Sequence, residues 1–235
     1  MAMTGIFLAA ALVHGQGFSV GGFGGYGMPL GPELISEYWK GGLGFGGEIR
    51  FDLNERTKIA LTYLNQTLKS DIGLEDLGLG LDDIDLDELT GYGFDVDMSL
   101  SGMDIKSNII TANIVQYLNN PGGGSAVYGT AGIGYYMIGV SDVKFEYSVS
   151  GSIYGVYFDE SDKQTIDMSD EGEDKFGING GLGLEMKAGS MILFAEAKLH
   201  YVFTDLEEPE EDFDKEGGNM MFLSILGGIR MPLGM

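Results

Sequence analysis

Apolar and polar positions alternate with a period of two along three long stretches of this chain. In 43–53 the odd positions are Leu43, Phe45, Gly47, Ile49, Phe51 and Leu53, and between them lie Gly44, Gly46, Glu48, Arg50 and Asp52. In 191–203 the odd positions are Met191, Leu193, Ala195, Ala197, Leu199, Tyr201 and Phe203, with Glu196, Lys198 and His200 on the other parity. In 221–235 every odd position is apolar or glycine, and Ser224, Gly228 and Arg230 share the opposite face. Side chains alternate across a strand, so each stretch predicts a β-strand with one apolar face and one face of charge or glycine. The same reading, cut at turn residues, predicts eight strands, at 17–28, 41–53, 56–69, 101–119, 125–146, 174–187, 190–204 and 218–234.

The connections fall into two classes. Those after the second, fourth and sixth strands are short and rich in turn formers: Asp52-Leu53-Asn54-Glu55-Arg56, Asn119-Asn120-Pro121-Gly122-Gly123-Gly124 and Lys187-Ala188-Gly189-Ser190. The others are long. The long connections after the third, fifth and seventh strands, counting Asp174 at the start of the sixth strand, carry ten, eight and eight acidic residues, 26 of the 36 in the chain. An even number of strands with short turns at one end and long loops at the other predicts a closed up-and-down barrel with a strongly anionic rim.

A soluble barrel would turn its apolar face inward, and a lipocalin-like carrier is the alternative fold. Strand length, acidic loops and punctuation favour the outward assignment, a barrel facing lipid. No run of about 18 apolar residues follows the N-terminal region, and a barrel needs none, since about 9–11 residues per tilted strand span a bilayer. A mean hydropathy of +0.06 beside a net charge of −23 means that apolar and acidic residues are segregated along the chain. Forty glycines, many inside strand patterns, suit a curved sheet. Cysteine is absent, which excludes disulfides and thiolate chemistry. Residues 1–15 are expected to be a signal peptide, possibly truncated: Gly5–Val13 is an apolar core, and cleavage fits between Gly15 and Gln16, although no Lys or Arg precedes Lys40. A first buried strand is the other reading. Residues 16–235 then form the barrel domain.

Three segments carry a more specific likeness: Tyr128-Gly129-Thr130-Ala131-Gly132-Ile133-Gly134-Tyr135-Tyr136, Phe176 through Glu185, and Leu193 through Tyr201. They resemble the outer-membrane protein β-barrel domain family, the small eight-stranded barrels that include OmpX- and OmpW-like proteins. The resemblance implies a monomeric integral protein of a diderm outer membrane, with turns and both termini periplasmic and loops outside. It also implies contact with lipopolysaccharide where that lipid is present, and with the insertion machinery through the C-terminal strand. The family usually ends in an aromatic residue; here Met235 keeps the outward phase.

The inward parity gathers Glu48, Arg50, Glu185, Glu196, Lys198, His200 and Arg230. An eight-stranded barrel is wide enough only for side chains or one small ligand, so these residues are expected to form an ion-pair network filling the lumen. A selectivity filter is the functional alternative. Ile192, Phe194, Phe222 and Leu226 suit either a greasy pocket or a plugged lumen. His200 lacks the nearby serine that a lipid A-modifying hydrolase would show. Asp82, Asp83, Asp85, Asp87 and Glu88 are a possible cation-binding loop, but Glu88 and Phe94 break the EF-hand pattern, so diffuse attraction of divalent cations is expected and no firm metal site. No cofactor is implied. Thirteen basic residues against 36 acids argue against nucleic acid. Tyr26, Phe45, Phe51, Tyr63, Tyr117, Tyr201 and Phe203 fit aromatic girdles. The functional expectation is a non-enzymatic surface-interaction protein acting through its acidic loops. A narrow OmpW-like channel for small apolar or cationic solutes is second, and a lipid A-modifying enzyme is a weaker third.

Overall fold

A computed structural model describes residues 17–72, 94–153, 156–168, 172–206 and 218–233. Eight long strands, all antiparallel to their neighbours, close on themselves. They are β1 (Phe18–Gly31), β3 (Gly42–Asp52), β4 (Thr57–Ser70), β6 (Ile105–Tyr117), β7 (Ser125–Val140), β10 (Glu173–Ala188), β11 (Met191–Leu206) and β12 (Gly218–Leu233). Closure runs through β1, which pairs with β3 on one side and β12 on the other, and through the pairing of β4 with β6. Each barrel strand therefore has two hydrogen-bonded neighbours and the sheet has no open edge.

The register fixes the tilt. From Asn113 the partners run one way through Gly132, Asn179 and His200 to Phe222. The other way they run through Ala60, Arg50 and Ser19 to Pro232. The two routes meet on β12 ten residues apart, a shear of ten over eight strands. Such a stagger tilts the strands ~35–45° from the barrel axis and leaves an interior that side chains can fill.

The predicted strands match these eight to within four residues, except that the fifth ends at Val140 and not at 146, where a strand of a separate sheet has already begun, and their parity decides the two faces. Leu43, Phe45, Ile133, Phe176, Leu182 and Ile225 stand exposed on the outside, each more than half accessible. Inside, Ile109, Val115, Tyr128, Val202, Ser224 and Arg230 are fully enclosed. This is the reverse of a soluble fold, and it gives the barrel a largely apolar exterior. Tyr117 departs from expectation. It is 2 % exposed and points into the lumen, because β6 holds Ile105, Ile109 and Val115 on its inward parity and Tyr117 shares that parity. The other six aromatics assigned to the girdles have the outward parity of their strands.

Three further strands lie on the loop side. β5 (Phe94–Ser101), β8 (Val143–Ile153) and β9 (Val156–Ile166) form a separate antiparallel sheet in the order β5-β8-β9. Connections that read as plain loops therefore contain a small sheet. It leaves the barrel at Gly102, whose φ of +101° suits only glycine and whose missing Cβ makes room for the Asp142 carbonyl. A short helix α1 (Glu33–Tyr38) follows β1 and leads into β2 (Trp39–Lys40), which pairs with β4. The first and last barrel strands meet at the opposite rim, where Phe18 pairs with Leu233. On that rim also lie the short turns before β4, β7 and β11, the second carrying a 3-10 turn (Pro121–Gly123).

A charge on the exposed outer face tests the inverted polarity. Leu182→Lys, which is nearly free on a water-facing surface, is expected to destabilise the barrel folded in lipid vesicles by ~2–4 kcal/mol, as read by urea titration, because Leu182 stands on the exposed apolar face. An unchanged titration would place water, not lipid, against this face.

Candidate functional site

The inward parity of β3, β10, β11 and β12 places six oppositely charged side chains in one layer of the lumen. Arg50 and Arg230 organise it, at 1 % and 0 % exposure. Arg230 donates from Nε to Glu48 Oε1 at 2.8 Å and from Nη1 to Glu185 Oε2 at 2.9 Å. Its Nη2 lies 2.6 Å from Glu48 Oε1. Arg50 donates from Nε to Glu48 Oε2 at 3.0 Å and from Nη2 to Glu196 Oε2 at 3.3 Å. Glu48 therefore bridges the two guanidinium groups. Lys198 pairs with the remaining oxygen of Glu196 at 2.7 Å. Three cations face three carboxylates, so the layer is neutral. Each charge has a partner, as burial requires, since one uncompensated charge in such a site costs several kcal/mol.

Two tyrosines and a phenylalanine complete the layer. Tyr117 Oη donates to Glu185 Oε2 at 2.8 Å. Tyr128 Oη donates to Glu196 Oε2 at 2.9 Å and accepts from Arg50 Nη2 at 3.1 Å. The Arg50 guanidinium lies over the Tyr128 ring, 4.6 Å from its centroid, and Arg230 lies 4.7 Å from the centroid of Phe194. The tyrosines fit because small residues face them. A Cβ on Gly183 would collide with the Tyr128 ring, and one on Gly134 would come within 2.6 Å of Tyr136.

Above the charged layer, toward the loop side, an apolar cluster shares the lumen with buried polar side chains, among them Gln66, Ser107, Asn179, Thr204 and Ser224. Phe23, Leu64, Leu68, Ile105, Ile109, Val202, Met220, Phe222 and Leu226 form one buried cluster. Ile35 of α1 joins it, and Trp39 packs on it while its Nε1 donates to the Met103 carbonyl at 2.7 Å. Helix α1 and Trp39 thus cap the loop-side mouth. His200 sits inside this half, stacked on Phe222 with ring centroids 4.4 Å apart, and its Nδ1 is 3.0 Å from Tyr136 Oη. Below the charged layer a vestibule of about 450 Å³ opens at the turn-side rim, lined by Ser19, Asp52, Lys58, Glu185, Lys187 and Ile192 among others.

The structure thus brings six of the seven inward residues named from sequence, Glu48, Arg50, Glu185, Glu196, Lys198 and Arg230, into one bonded layer. It sets His200 apart from them in an aromatic stack. Ile192, Phe194, Phe222 and Leu226 are all buried. The acids Asp82, Asp83, Asp85, Asp87 and Glu88 lie outside the described residues, as does the segment 1–15. Among the described residues no group of three or more His, Cys, Asp or Glu is placed to hold a metal ion. The list of inward charges does not contain Tyr117, Tyr128 and Tyr136. The last two flank the motif Tyr128–Tyr136, and their even parity, opposite to Ile133, is the signal that places them inside.

Removing one member should expose the coupling. Glu48→Ala strips two bonds from Arg230 and one from Arg50, and is expected to destabilise the folded barrel by ~3–5 kcal/mol in urea titration. The double variant Glu48→Met/Arg230→Met, which restores neutrality, is expected to recover most of that loss. Equal losses in both variants would show that packing, not charge balance, governs the layer.

No family model matches the sequence, and no curated protein matches it. Solved structures do. The outer-membrane protein OprG from Pseudomonas aeruginosa superposes with a TM-score of 0.50 at 11% identity, covering 94% of this chain and 97% of that one. Neisserial surface protein A gives 0.49 at 12% identity over 91% and 96% of the two chains. A major outer membrane protein from Thermus thermophilus gives 0.48 at 14% identity over 94% and 100%. At these identities the likeness speaks for architecture alone, and the OprG superposition carries it. Closed register, apolar exterior and this match agree: the chain has the fold of the small eight-stranded outer-membrane β-barrels.

Proposed function

We propose that this protein is a non-enzymatic outer-membrane barrel with a sealed lumen, whose working surface is the loop-side end. The observation that carries the reading is the neutral charged layer with an apolar cluster packed above it. Water has a vestibule below the layer, but above it lie Leu64, Ile109, Tyr136 and Phe222, and α1 closes the mouth. A continuous ion path would have to break paired charges in a low-dielectric interior, which opposes conduction.

The remaining chemistry points outward. His200 is committed to Tyr136 and Phe222, and among the described residues no serine hydroxyl or carboxylate is bonded to its ring, which supports the non-enzymatic reading. The loop-side sheet presents Asp97, Glu146, Asp159, Glu160 and Asp162, with Glu146 bridged to Lys163. Its outer strands β5 and β9 each lack a partner on one side among the described residues. Such a surface attracts divalent cations diffusely and meets envelope components or external partners of opposite charge. In this reading the short turns and both ends of the barrel face the periplasm. The protein works as a monomer, and its insertion machinery reads the C-terminal strand.

Planar-bilayer recording separates this from the second reading, a narrow channel for small apolar or cationic solutes, which the apolar loop-side half of the lumen favours. Refolded protein, shown to be inserted by heat-modifiable migration on gels, is expected to produce no discrete conductance steps. Cation-selective steps would overturn the sealed lumen and make Glu48, Arg50 and Arg230 the gate.

A further inference from the structure

The outer wall is not uniform around the barrel. Along β12 the outward positions from Leu233 to Met221 are Leu233, Met231, Ile229, Gly227, Ile225, Leu223 and Met221, with no polar side chain among them. At ~3.3 Å per residue and a tilt of ~40°, that stretch climbs about 30 Å, the thickness of bilayer hydrocarbon.

The seam between β4 and β6 is different. Its outward positions run Thr57, Ile59, Leu61, Tyr63, Asn65, Thr67, Lys69 on β4 and Gln116, Ile114, Ala112, Ile110, Asn108, Lys106 on β6. The two strands are bonded in register, Asn65 opposite Asn108 and Thr57 opposite Gln116. Thr57 Oγ1 donates to Gln116 Oε1 at 3.0 Å; Asn65 Nδ2 and Tyr63 Oη donate to Asn108 Oδ1 at 2.9 and 2.7 Å. The rise from Thr57 to Asn65 is only about 20 Å by the same geometry. Along this seam the bilayer meets polar side chains within its own hydrocarbon thickness. There they need hydrogen-bonding partners, or the lipid must thin around them.

The loop-side end of the seam has the chemistry for such a partner. Among the described residues the Asn108 amide nitrogen and the Asn65 amide oxygen are left without a bond. One step further out on the same face is Lys106. Of the lysines at the loop-side ends of the barrel strands and β2, Lys40 is paired with Asp71, Lys69 with Asp104 and Lys175 with Glu173. Lys106 alone among these four has no carboxylate partner in the described residues, and it is exposed. On a chain of net charge −23, a lysine on the lipid-facing side with no carboxylate partner among the described residues is a local reversal of sign.

We propose that the β4–β6 seam docks the phosphate headgroup of an anionic membrane lipid in the loop-side leaflet. Lys106 takes the phosphate. Asn108 and Asn65 bond the headgroup or ester oxygens beneath it, and the acyl chains lie over Ile110, Ala112 and Leu61. The site rests on the membrane-embedded reading of the barrel and is independent of what the loops bind.

The full chain, refolded into phosphatidylcholine nanodiscs containing a minor fraction of phosphatidylglycerol, is released into mild detergent and its retained lipid is read by native mass spectrometry. Heat-modifiable migration, checked first, reports separately on whether the barrel has formed. Phosphatidylglycerol is expected to be enriched several-fold over its bulk fraction. Lys106→Gln and the double change Asn65→Leu/Asn108→Leu are expected to return it to the bulk ratio, Lys106→Arg to keep it, and Lys144→Gln on β8 to leave it untouched. Retained lipid of bulk composition from the unaltered chain, or enrichment indifferent to Lys106→Gln, would overturn the proposal. So would dimers that appear in place of retained lipid, which would assign the seam to a second copy.

Discussion

Hydrogen bonding of the backbone is the constraint on which the rest of this structure depends. Hydrocarbon offers no partner to an exposed peptide group, so a sheet in lipid must close. Here closure rests on the pairing of the first barrel strand with the last, Phe18 through Met28 against Leu233 through Leu223 without interruption. Closing eight strands with a shear of ten sets the tilt and hence the bore. The bore in turn dictates what the inward parity can hold, and an eight-stranded bore is wide enough for side chains to fill. The chain answers with large groups opposed by glycine, Tyr128 against Gly183 and Tyr136 against Gly134 and Gly177.

The polarity of the filling follows from the same geometry. The loop-side half holds an apolar cluster around Leu64, Ile109, Phe222 and Leu226, with polar side chains such as Gln66, Asn179 and Ser224 buried beside it. The turn-side half instead holds three cations and three carboxylates in a neutral layer next to the vestibule. Buried ion pairs seldom stabilise more than a hydrophobic filling of equal volume, but a broken one is strongly destabilising. Such a layer therefore penalises alternatives. A strand slipped by one residue would carry Glu48 or Arg230 to the lipid face and strand its partner inside. The layer acts as a register lock more than as a source of stability.

How much of this is legible in the sequence depends on contrast between the two faces of each strand. β3, β11 and β12 alternate sharply, and their inward charges can be named from the alternation alone. β6 has Ile105 and Ile109 inward but Ile110 and Ile114 outward. Its phase is therefore hidden, and Tyr117 reads as a girdle residue when it belongs to the lumen. The sheet β5-β8-β9 is hidden for another reason. Its β9 strand carries Asp159, Glu160, Asp162 and Lys163, a composition that reads as solvated loop, and its order comes from cross-strand partners on β8 such as Val143, Phe145 and Val149 and from the Glu146–Lys163 bridge. Helix α1 is six residues long, too short for a period to show. Its role comes from Ile35 alone, and a single apolar residue in a connection carries no pattern.

The distribution of charge divides the molecule into parts with separate tasks. Within the bilayer the described inward layer is neutral, so the barrel contributes little long-range field there. On the loop side the described sheet carries Asp97, Glu146, Asp159, Glu160 and Asp162, whose fields extend only about a Debye length, ~8–10 Å at moderate salt. In the proposed reading a partner of the loops must come close to them to be sensed, and the barrel beneath holds them in place. Changes among the loop acids would alter what is attracted without disturbing Glu48, Arg50 or Arg230. The converse also holds. A change in the ion-pair layer acts on the whole assembly through register and closure, because every loop is anchored on strands that the layer keeps in phase.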